Sequence, residues 1–322
     1  MKNTADGKVV VITGASSGAG RAIAVALARE GAQLILIARS RDALEEVAEE
    51  CQSNGAKAMA IVGDVKEMVE MYRAAKEVLS QLGAIDVWIN NAGVLAAGSF
   101  DQIPAEVNED VIRTNLLGYV HGAQTVLPVF KRQGHGILIN NISVGGWFAT
   151  PYMAAYSASK FGLRGFFESL KGELRSFPNI HVCDLYPGFL DTPGIQHAAN
   201  YTGKYLRPAP PVNDPADVAK AVVRLIRQPR EKKIIGASSF FLKTAFTLFP
   251  RLSRNITASI IKTYLDKADE TELTSGNIFG PVDYGTGIYG GWETYFNNRI
   301  KRQMPLLAIG FIAGVLLLAN KK

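Results

Sequence analysis

The amino-acid sequence predicts an α/β protein with a doubly wound parallel sheet, followed by a helical, apolar C-terminal extension. From residue 8 to about residue 237, short apolar runs alternate with longer amphipathic stretches, which is typical of repeated βαβ units. The runs are continuously apolar, as expected for strands that a parallel sheet buries on both faces. Beyond residue 237 the alternation stops.

Seven apolar runs predict strands over residues 9–12, 33–38, 58–62, 87–90, 136–140, 180–185 and 233–235. Amphipathic stretches predict helices over residues 20–30, 42–53, 66–82, 110–132, 158–175 and 215–227. The segment of residues 189–213 has no periodicity and is rich in Pro, Gly and Tyr. Long irregular segments in compact domains are typical of functional lids or linkers.

We divide the chain into a predicted domain of residues 1–237 and two predicted additions. Residues 238–302 combine a phenylalanine-rich basic stretch with a glycine-rich loop, and we expect a lid or a membrane-surface element there. Residues 303–322 contain an almost wholly apolar run over residues 305–319 and predict a membrane anchor. As a helix, their apolar part would span ~21 Å, short of the ~30 Å bilayer core. An interfacial helix or a protein contact therefore remains an alternative.

Composition excludes several classes of protein. With 48% hydrophobic and 20% charged residues, the 322-residue chain is too apolar for global disorder. Its two cysteines and four histidines lack metal-ligand spacing, so we expect neither a disulfide framework nor a metal site. Most of the net charge of +6 comes from residues after Phe240, where basic and large apolar residues interleave. This pattern favours lipid over nucleic acid as a partner. The polar N-terminus predicts folding in the cytosol, hence a protein on the cytoplasmic face of a membrane.

A glycine-rich turn, Thr-Gly-Ala-Ser-Ser-Gly-Ala-Gly over residues 13–20, joins the first predicted strand to the first helix. Small residues there let a dinucleotide pyrophosphate approach backbone N–H groups and the positive end of the helix dipole. The strand before the turn and the alanine-rich helix after it favour a nucleotide site. The candidate cofactor contacts in the turn are Gly14, Ser16, Ser17, Gly18 and Gly20.

The end of the second strand predicts which dinucleotide binds. An acidic residue there would accept hydrogen bonds from the ribose 2′-hydroxyl of NAD and repel the 2′-phosphate of NADP. This sequence has Arg39 and Ser40 instead, a planar cation beside a hydroxyl, and both suit a phosphate. We therefore expect NADP(H), with a solvated surface arginine as the alternative interpretation of Arg39.

A tyrosine and a lysine four residues apart predict the chemistry. On a helix, this spacing would place Tyr156 and Lys160 on one face. A free tyrosine has a pKa of about 10, and a nearby ammonium lowers that pKa toward the working range. Ser143 follows a predicted strand, at the sheet edge where open α/β sheets bind ligands. Its hydroxyl can hold a substrate carbonyl, while a nicotinamide carries the hydride and no metal is required.

These motifs, in this order, resemble the classical short-chain dehydrogenase/reductase family from residue 8 to about residue 237. The further matching positions are Asp64, Val65, Asn91, Ala92, Gly93, Asn115, Pro187, Gly188 and Thr192. The resemblance implies a Rossmann fold, with all of these except Asn115 in the cofactor site. It also leaves a homo-oligomer open, because the family is often dimeric or tetrameric.

The same resemblance implies the roles of the catalytic group. Tyr156 would be the general acid/base and a cofactor contact, and Lys160 its electrostatic partner and ribose anchor. Ser143 would orient the substrate, and Asn115 would hold a water in the proton path.

The expected activity is reduction of a carbonyl or oxidation of a secondary alcohol. Residues 145–148 and the pair Phe189-Leu190 predict an apolar pocket and therefore a lipophilic substrate. One alternative is a non-catalytic NADPH-binding sensor or membrane scaffold on the same fold, and the complete catalytic set argues against it. Another is an epimerase or dehydratase, against which the plain set of motifs argues.

Overall fold

The computed structural model describes residues 4–292, which form a central sheet with helices on both faces. The strands are β1 (Val9–Thr13), β2 (Gln33–Ala38), β3 (Lys57–Val62), β4 (Val87–Asn90), β5 (Ala96–Ala97), β6 (Gly136–Asn141), β7 (Ile180–Pro187), β8 (Ala199–Asn200) and β9 (Lys232–Ile235). The α-helices are α1 (Gly18–Arg29), α2 (Arg41–Ser53), α3 (Met68–Leu82), α4 (Ala105–Ile112), α5 (Gly118–Gln133), α6 (Ala154–Glu173), α7 (Pro215–Arg227), α8 (Ala237–Leu248) and α9 (Pro250–Lys267). Short 3₁₀ turns cover Val144–Gly146, Leu174–Ser176 and Pro193–Ile195.

Seven strands form one parallel sheet in the order β3-β2-β1-β4-β6-β7-β9. They are the seven predicted strands, so the doubly wound architecture is confirmed. The order reverses beside β1, because β2 and β3 lie on one side of it and the later strands on the other. Open α/β sheets bind ligands in the crevice at such a reversal. A second sheet pairs β5 with β8 and was not predicted, since two-residue strands have no periodicity.

The core lies in two layers, one on each face of the sheet. Val10 and Ile12 of β1 pack with α1, α2 and α7, whereas Val9 and Val11 pack with α3, α5 and α6. Successive side chains of a strand point to opposite faces, so a strand covered on both faces must be apolar throughout. This is why the apolar runs located the strands.

The predicted single helix over residues 110–132 is wrong in form. The structure has α4, then a π turn over Arg113–Leu117, and then α5. Gly118, the first residue of α5, packs against the loop after β3, where a Cβ would lie 2.7 Å from Cγ2 of Val65. Amphipathic periodicity does not distinguish a π turn from the α-helix around it, so the sequence offered no signal for it.

A buried ion pair joins Lys171 of α6 to Asp184 of β7. The side chain of Asp184 is fully buried, and the Lys171 ammonium lies 2.6 Å from its Oδ2. The side-chain amide of Asn140 donates to Oδ1 of Asp184 at 3.0 Å. The carboxylate therefore depends on Lys171 for its only salt bridge among the residues that the structure describes.

We expect Lys171→Met to lower the free energy of unfolding by about 3–5 kcal/mol, because it leaves a buried carboxylate without its counter-ion. Lys232→Met is the matched control. The Lys232–Glu168 pair is exposed, so its loss should cost no more than about 1 kcal/mol. Urea denaturation of both variants measures the difference, and equal losses would contradict it.

After α9 the chain returns to the main domain through residues 268–292. Among residues 4–292, no helix combines the length and the apolarity needed to cross a bilayer. The predicted anchor at residues 303–322 lies outside the described residues.

Candidate active site

The carboxyl ends of the parallel strands surround one cleft of about 1220 Å³. The predicted residues that line it are Gly14, Ser16, Ser17, Gly18, Arg39, Ser40, Asp64, Val65, Asn91, Ala92, Gly93, Ser143, Tyr156, Lys160, Pro187, Gly188 and Thr192. Gly20 and Asn115 are not among the residues that line the cleft. No group of three or more His, Cys, Asp or Glu side chains within residues 4–292 could hold a metal ion.

The glycine turn after β1 is held tightly against the loop after β4. Gly14 has a φ of +64°, and a Cβ there would lie 2.6 Å from Cα of Ala92. The Thr13 hydroxyl accepts the backbone N–H of Asn91 at 3.0 Å, and the Asn91 amide donates to the Gly14 carbonyl at 3.0 Å. A Cβ on Gly20 would collide with that same carbonyl. Gly20 therefore allows the first turn of α1 to pack closely against the Gly14 carbonyl. The compact turn leaves its backbone accessible to a phosphate.

Ser143 and Tyr156 both line the other end of the cleft, and both side chains lie beside Gly145. Ser143 has a φ of +97°, a strained conformation for a residue with a Cβ, and such strain concentrates at active sites. Its hydroxyl also accepts the backbone N–H of Gly145 at 3.2 Å. A Cβ on Gly145 would lie 3.1 Å from the Tyr156 ring, so the glycine makes room for that ring.

Burial governs the protonation of Tyr156 and Lys160. It raises the pKa of Tyr156, and the nearby Ser143 hydroxyl opposes this rise. Burial also lowers the pKa of Lys160 to about 7. The Lys160 ammonium lies 5.6 Å from the centre of the Tyr156 ring and 5.2 Å from that of Tyr119.

We expected Lys160 to lower the pKa of Tyr156, and the structure shows a different balance. Removing both groups from water disfavours the ammonium and the phenolate alike. A Lys160 with a pKa of about 7 is partly discharged at neutral pH. An anion bound near Lys160 would favour its charged form, and a charged Lys160 would in turn stabilise a phenolate.

Asn115 lies within the π turn and is fully buried. Its Oδ1 accepts the N–H of Val94 at 2.8 Å, and its Nδ2 donates to the Val94 carbonyl at 2.9 Å and to Ser159 Oγ at 3.3 Å. The amide thus joins the loop after β4 to α6. Its implied role as the holder of a water stays a prediction. π turns are frequent at functional sites.

Arg39 is half-buried at the far end of the cleft and is not a solvated surface residue. Its Nη1 donates to the Ile278 carbonyl at 3.2 Å and its Nη2 to the Asn277 carbonyl at 2.6 Å. Burial lowers its pKa, but a guanidinium stays protonated in proteins. Ser40 caps α2 by accepting the N–H of Ala43 at 3.4 Å.

The apolar pocket next to Ser143 is built partly from unexpected elements. The Phe148 ring packs 6.5 Å from Phe189 and 5.2 Å from Phe246 of α8, and α9 forms a further wall. Trp147 is predicted among the pocket residues but packs against Arg164 instead. The guanidinium carbon of Arg164 lies 4.3 Å from the centre of the Trp147 ring. The sequence indicated an apolar pocket and offered a lid over residues 238–302 as one alternative, but it did not identify which residues of α8 and α9 contribute.

Residues 269–292, which we call the roof segment, also line the cleft. A lid was one of the two alternatives expected for residues 238–302, but sequence reasoning identified no site residue in this segment. The lining residues of this segment are Asp269, Asn277, Pro281, Val282, Tyr284, Gly285 and Thr286. The Gly287 carbonyl accepts the N–H of Gly18 at 2.9 Å, and the Thr286 carbonyl accepts from Arg21 at 3.1 Å. Because these contacts use backbone carbonyls, side-chain types carried no signal for them.

Comparison with known proteins indicates the family to which the chain belongs. The family model described as short chain dehydrogenase matches residues 8–201. An uncharacterized oxidoreductase of Bacillus subtilis (strain 168), YxnA, is 30% identical over 328 residues, which cover 98% of this chain and 90% of that protein.

Two solved structures are similar over most of the chain. The alcohol dehydrogenase from the archaeon Thermococcus sibiricus, complexed with 5-hydroxy-NADP, superposes with a TM-score of 0.62 at 30% identity, over 71% of this chain and 96% of that one. A short chain dehydrogenase/reductase from Burkholderia phymatum, in complex with NAD, has a TM-score of 0.70 at 26% identity, over 78% and 97% of the two chains. With its motifs, sheet order and relatives in agreement, the chain belongs to the short-chain dehydrogenase/reductase family.

Proposed function

We propose that this oxidoreductase is NADP(H)-dependent and transfers hydride between the nicotinamide and a lipophilic carbonyl compound or secondary alcohol. Its family supports a nicotinamide-dependent enzyme that acts on CH–OH groups. The observation that carries the finer proposal is the arrangement of one cleft, with Ser143, Tyr156 and Lys160 at one end and Arg39 at the other.

The catalytic residues have distinct proposed tasks in carbonyl reduction. The Ser143 hydroxyl holds the carbonyl oxygen, and the Tyr156 phenol gives that oxygen its proton. Lys160 stabilises the phenolate that remains. The cofactor, when bound, supplies the hydride to the carbonyl carbon. In alcohol oxidation the same groups act in reverse, with Tyr156 as the base.

The charge around Arg39 supports NADP(H). Arg21, nearby in the cofactor region, is neutralised by Glu46 and Glu50, each at 2.8 Å. Arg39 has only carbonyl partners among residues 4–292, and Asp64 and Asp110 act on it from a distance. A buried cation without a carboxylate partner suits a phosphate. The solved relatives hold 5-hydroxy-NADP in one case and NAD in another, so the preference rests on Arg39.

The remaining space fits such a cofactor. The cleft is larger than the ~300–1,000 Å³ of ordinary ligand pockets. Gly14 and Gly18 place no side chain at two positions of the turn after β1. Beside Arg39, the buried Oδ1 of Asn277 has no hydrogen-bond partner among the described residues.

Turnover with a graded series of ketones tests the proposal. Phe148, Phe189 and Leu190 line the substrate end, so kcat/KM with NADPH should rise with alkyl chain length, up to about fourfold per buried methylene. NADPH absorbance is the readout, and Tyr156→Phe is the control for non-enzymatic oxidation. NADPH binding without turnover of any ketone or alcohol would favour the sensor alternative. No dependence on chain length would contradict a lipophilic substrate.

We also propose that α8 and α9 rest on a membrane, together with residues 303–322. Phe240, Phe241 and Leu248 of α8 are more than half exposed, and Arg251 and Arg254 of α9 are exposed beside them in the chain. Exposed aromatic residues with interleaved cations are typical of helices that lie in the interface of an anionic bilayer. Since α9 also walls the cleft, a lipophilic substrate could enter from that side.

We expect the fluorescence of Phe241→Trp to be quenched by brominated lipids in anionic vesicles, because the residue is 61% exposed on the proposed membrane face. The full chain is used. Val69→Trp on α3, at a site 70% exposed, is the matched control and should not be quenched. Binding to vesicles with equal quenching at both sites, or at neither, would contradict membrane contact by α8.

A further inference from the structure

The roof segment is fixed at both ends to the main domain. Near its start, Thr274 and Asn200 exchange two backbone hydrogen bonds of 2.7 and 3.0 Å. At its end, the Trp292 backbone donates to Asp191 Oδ1 at 2.7 Å, and its indole donates to the Thr192 carbonyl at 3.0 Å. Between these two attachments the segment also contacts Gly18 in the turn after β1 and Arg39 after β2.

Between these ends, Ile278 anchors the segment in a small core. Its side chain is fully buried in a cluster with Val94, Val107 and Ala199. Its neighbour Asn277 donates its backbone N–H to the His197 carbonyl at 2.9 Å. The carbonyls of Asn277 and Ile278 are therefore held in place, and both accept from Arg39.

This contact orients the one cation proposed to read the cofactor phosphate. A guanidinium has five N–H donors, and the two carbonyls engage only two of them. A long, flexible side chain loses conformational freedom when it binds a ligand, and a side chain already fixed loses less. Carbonyl oxygens also leave the positive charge intact, whereas a carboxylate would neutralise it.

We propose that the backbone of Asn277 and Ile278 positions Arg39 for the adenosine 2′-phosphate, so that the C-terminal extension sets the choice between NADP(H) and NAD(H). The inference rests on the proposed use of NADP(H). Arg39 alone touches the phosphate, and Asn277 and Ile278 act through it. Cofactor selectivity then depends on two residues far from Arg39 in the chain. Asn277 is separated from it by 238 positions and Ile278 by 239.

The test measures Kd for NADPH and for NADH, by fluorescence titration of the full chain, in Ile278→Ala, Arg39→Ala and the double variant. Ile278→Ala removes the anchor beneath the two carbonyls without touching the cleft. It should weaken NADPH at least about tenfold, the scale of one hydrogen bond to a charged group, and change NADH less than about twofold. The double variant should bind NADPH no more weakly than Arg39→Ala. Leu273→Ala, in the same segment and 63% exposed, is the matched control and should change neither Kd.

Equal weakening of both cofactors by Ile278→Ala, or additive losses in the double variant, would overturn the positioning role while leaving the use of NADP(H) intact. If Arg39→Ala leaves the NADPH-to-NADH ratio unchanged, the proposed cofactor choice fails, and the inference fails with it. Should Ile278→Ala not fold, Gly276→Ala replaces it. Gly276 has a φ of +52°, and a Cβ there would collide with the His197 carbonyl, which shifts the same carbonyls. Equal weakening of both cofactors by Gly276→Ala, or additive losses when it is combined with Arg39→Ala, would then overturn the positioning role.

Discussion

Tyr156→Phe is expected to lower kcat about 10²- to 10⁴-fold, the range for loss of a positioned general acid. The substitution removes only the phenol oxygen, so the ring keeps its contact beside Gly145 and its place 5.6 Å from the Lys160 ammonium. NADPH should therefore bind with an unchanged Kd. Steady-state turnover with a ketone and fluorescence titration with NADPH measure the two quantities.

Tyr119→Phe is the matched control for that prediction. Tyr119 also lies beside Lys160, at 5.2 Å, but its hydroxyl donates to the Asn141 carbonyl at 2.8 Å. Its loss should cost about 1 kcal/mol of stability and leave kcat nearly unchanged. A Tyr156→Phe enzyme with more than about a tenth of the parent kcat would contradict the assignment. So would an equal loss in Tyr119→Phe.

Lys160→Met is expected to abolish most turnover and to remove a pH dependence of cofactor binding. Burial holds the pKa of Lys160 at about 7, and a bound anionic cofactor should raise it. Below about pH 7 the lysine is already protonated, so the Kd for NADPH should be flat. Above that pH, binding must take up a proton, so the Kd should rise by up to about tenfold per pH unit. In Lys160→Met the rise of the Kd above pH 7 should be absent, and a parent-like slope in this pH range would contradict the role of Lys160.

The same substitution should stabilise the fold at neutral pH. The pKa of Lys160 is lower in the folded chain, at about 7, than its ordinary value of 10.5. Its burial therefore destabilises the fold fully below pH 7, and this cost disappears as the pH rises to 10.5. Lys160→Met should raise the free energy of unfolding by on the order of a few kcal/mol at pH 7 and by little at pH 10.5. Urea denaturation at the two pH values measures the change, and a variant destabilised at pH 7 would contradict it.

The sheet and the glycine turn could be predicted because each depends on local chemistry. A strand buried on both faces needs apolar residues throughout, and a turn packed against Ala92 needs Gly14. The order of the motifs along the chain then located the cleft, since parallel strands end at one edge of the sheet.

Other features could not be predicted because they depend on distant contacts or on burial. The partners of Arg39 lie in the roof segment and contribute backbone carbonyls, so no side-chain pattern marks them. The low pKa of Lys160 comes from its burial, with only 4% of its surface exposed. The π turn that contains Asn115 continues the amphipathic pattern of the helices on either side, so the pattern does not mark it.

A parallel titration of the full chain with NADPH and NADH, followed by fluorescence, tests the central claim most directly. Use of NADP(H) through Arg39 predicts that NADPH binds at least about tenfold more tightly than NADH, and that Arg39→Ala abolishes the difference. Equal affinity, or tighter binding of NADH, would contradict the role of Arg39. Binding of neither cofactor would contradict a nicotinamide-dependent oxidoreductase altogether.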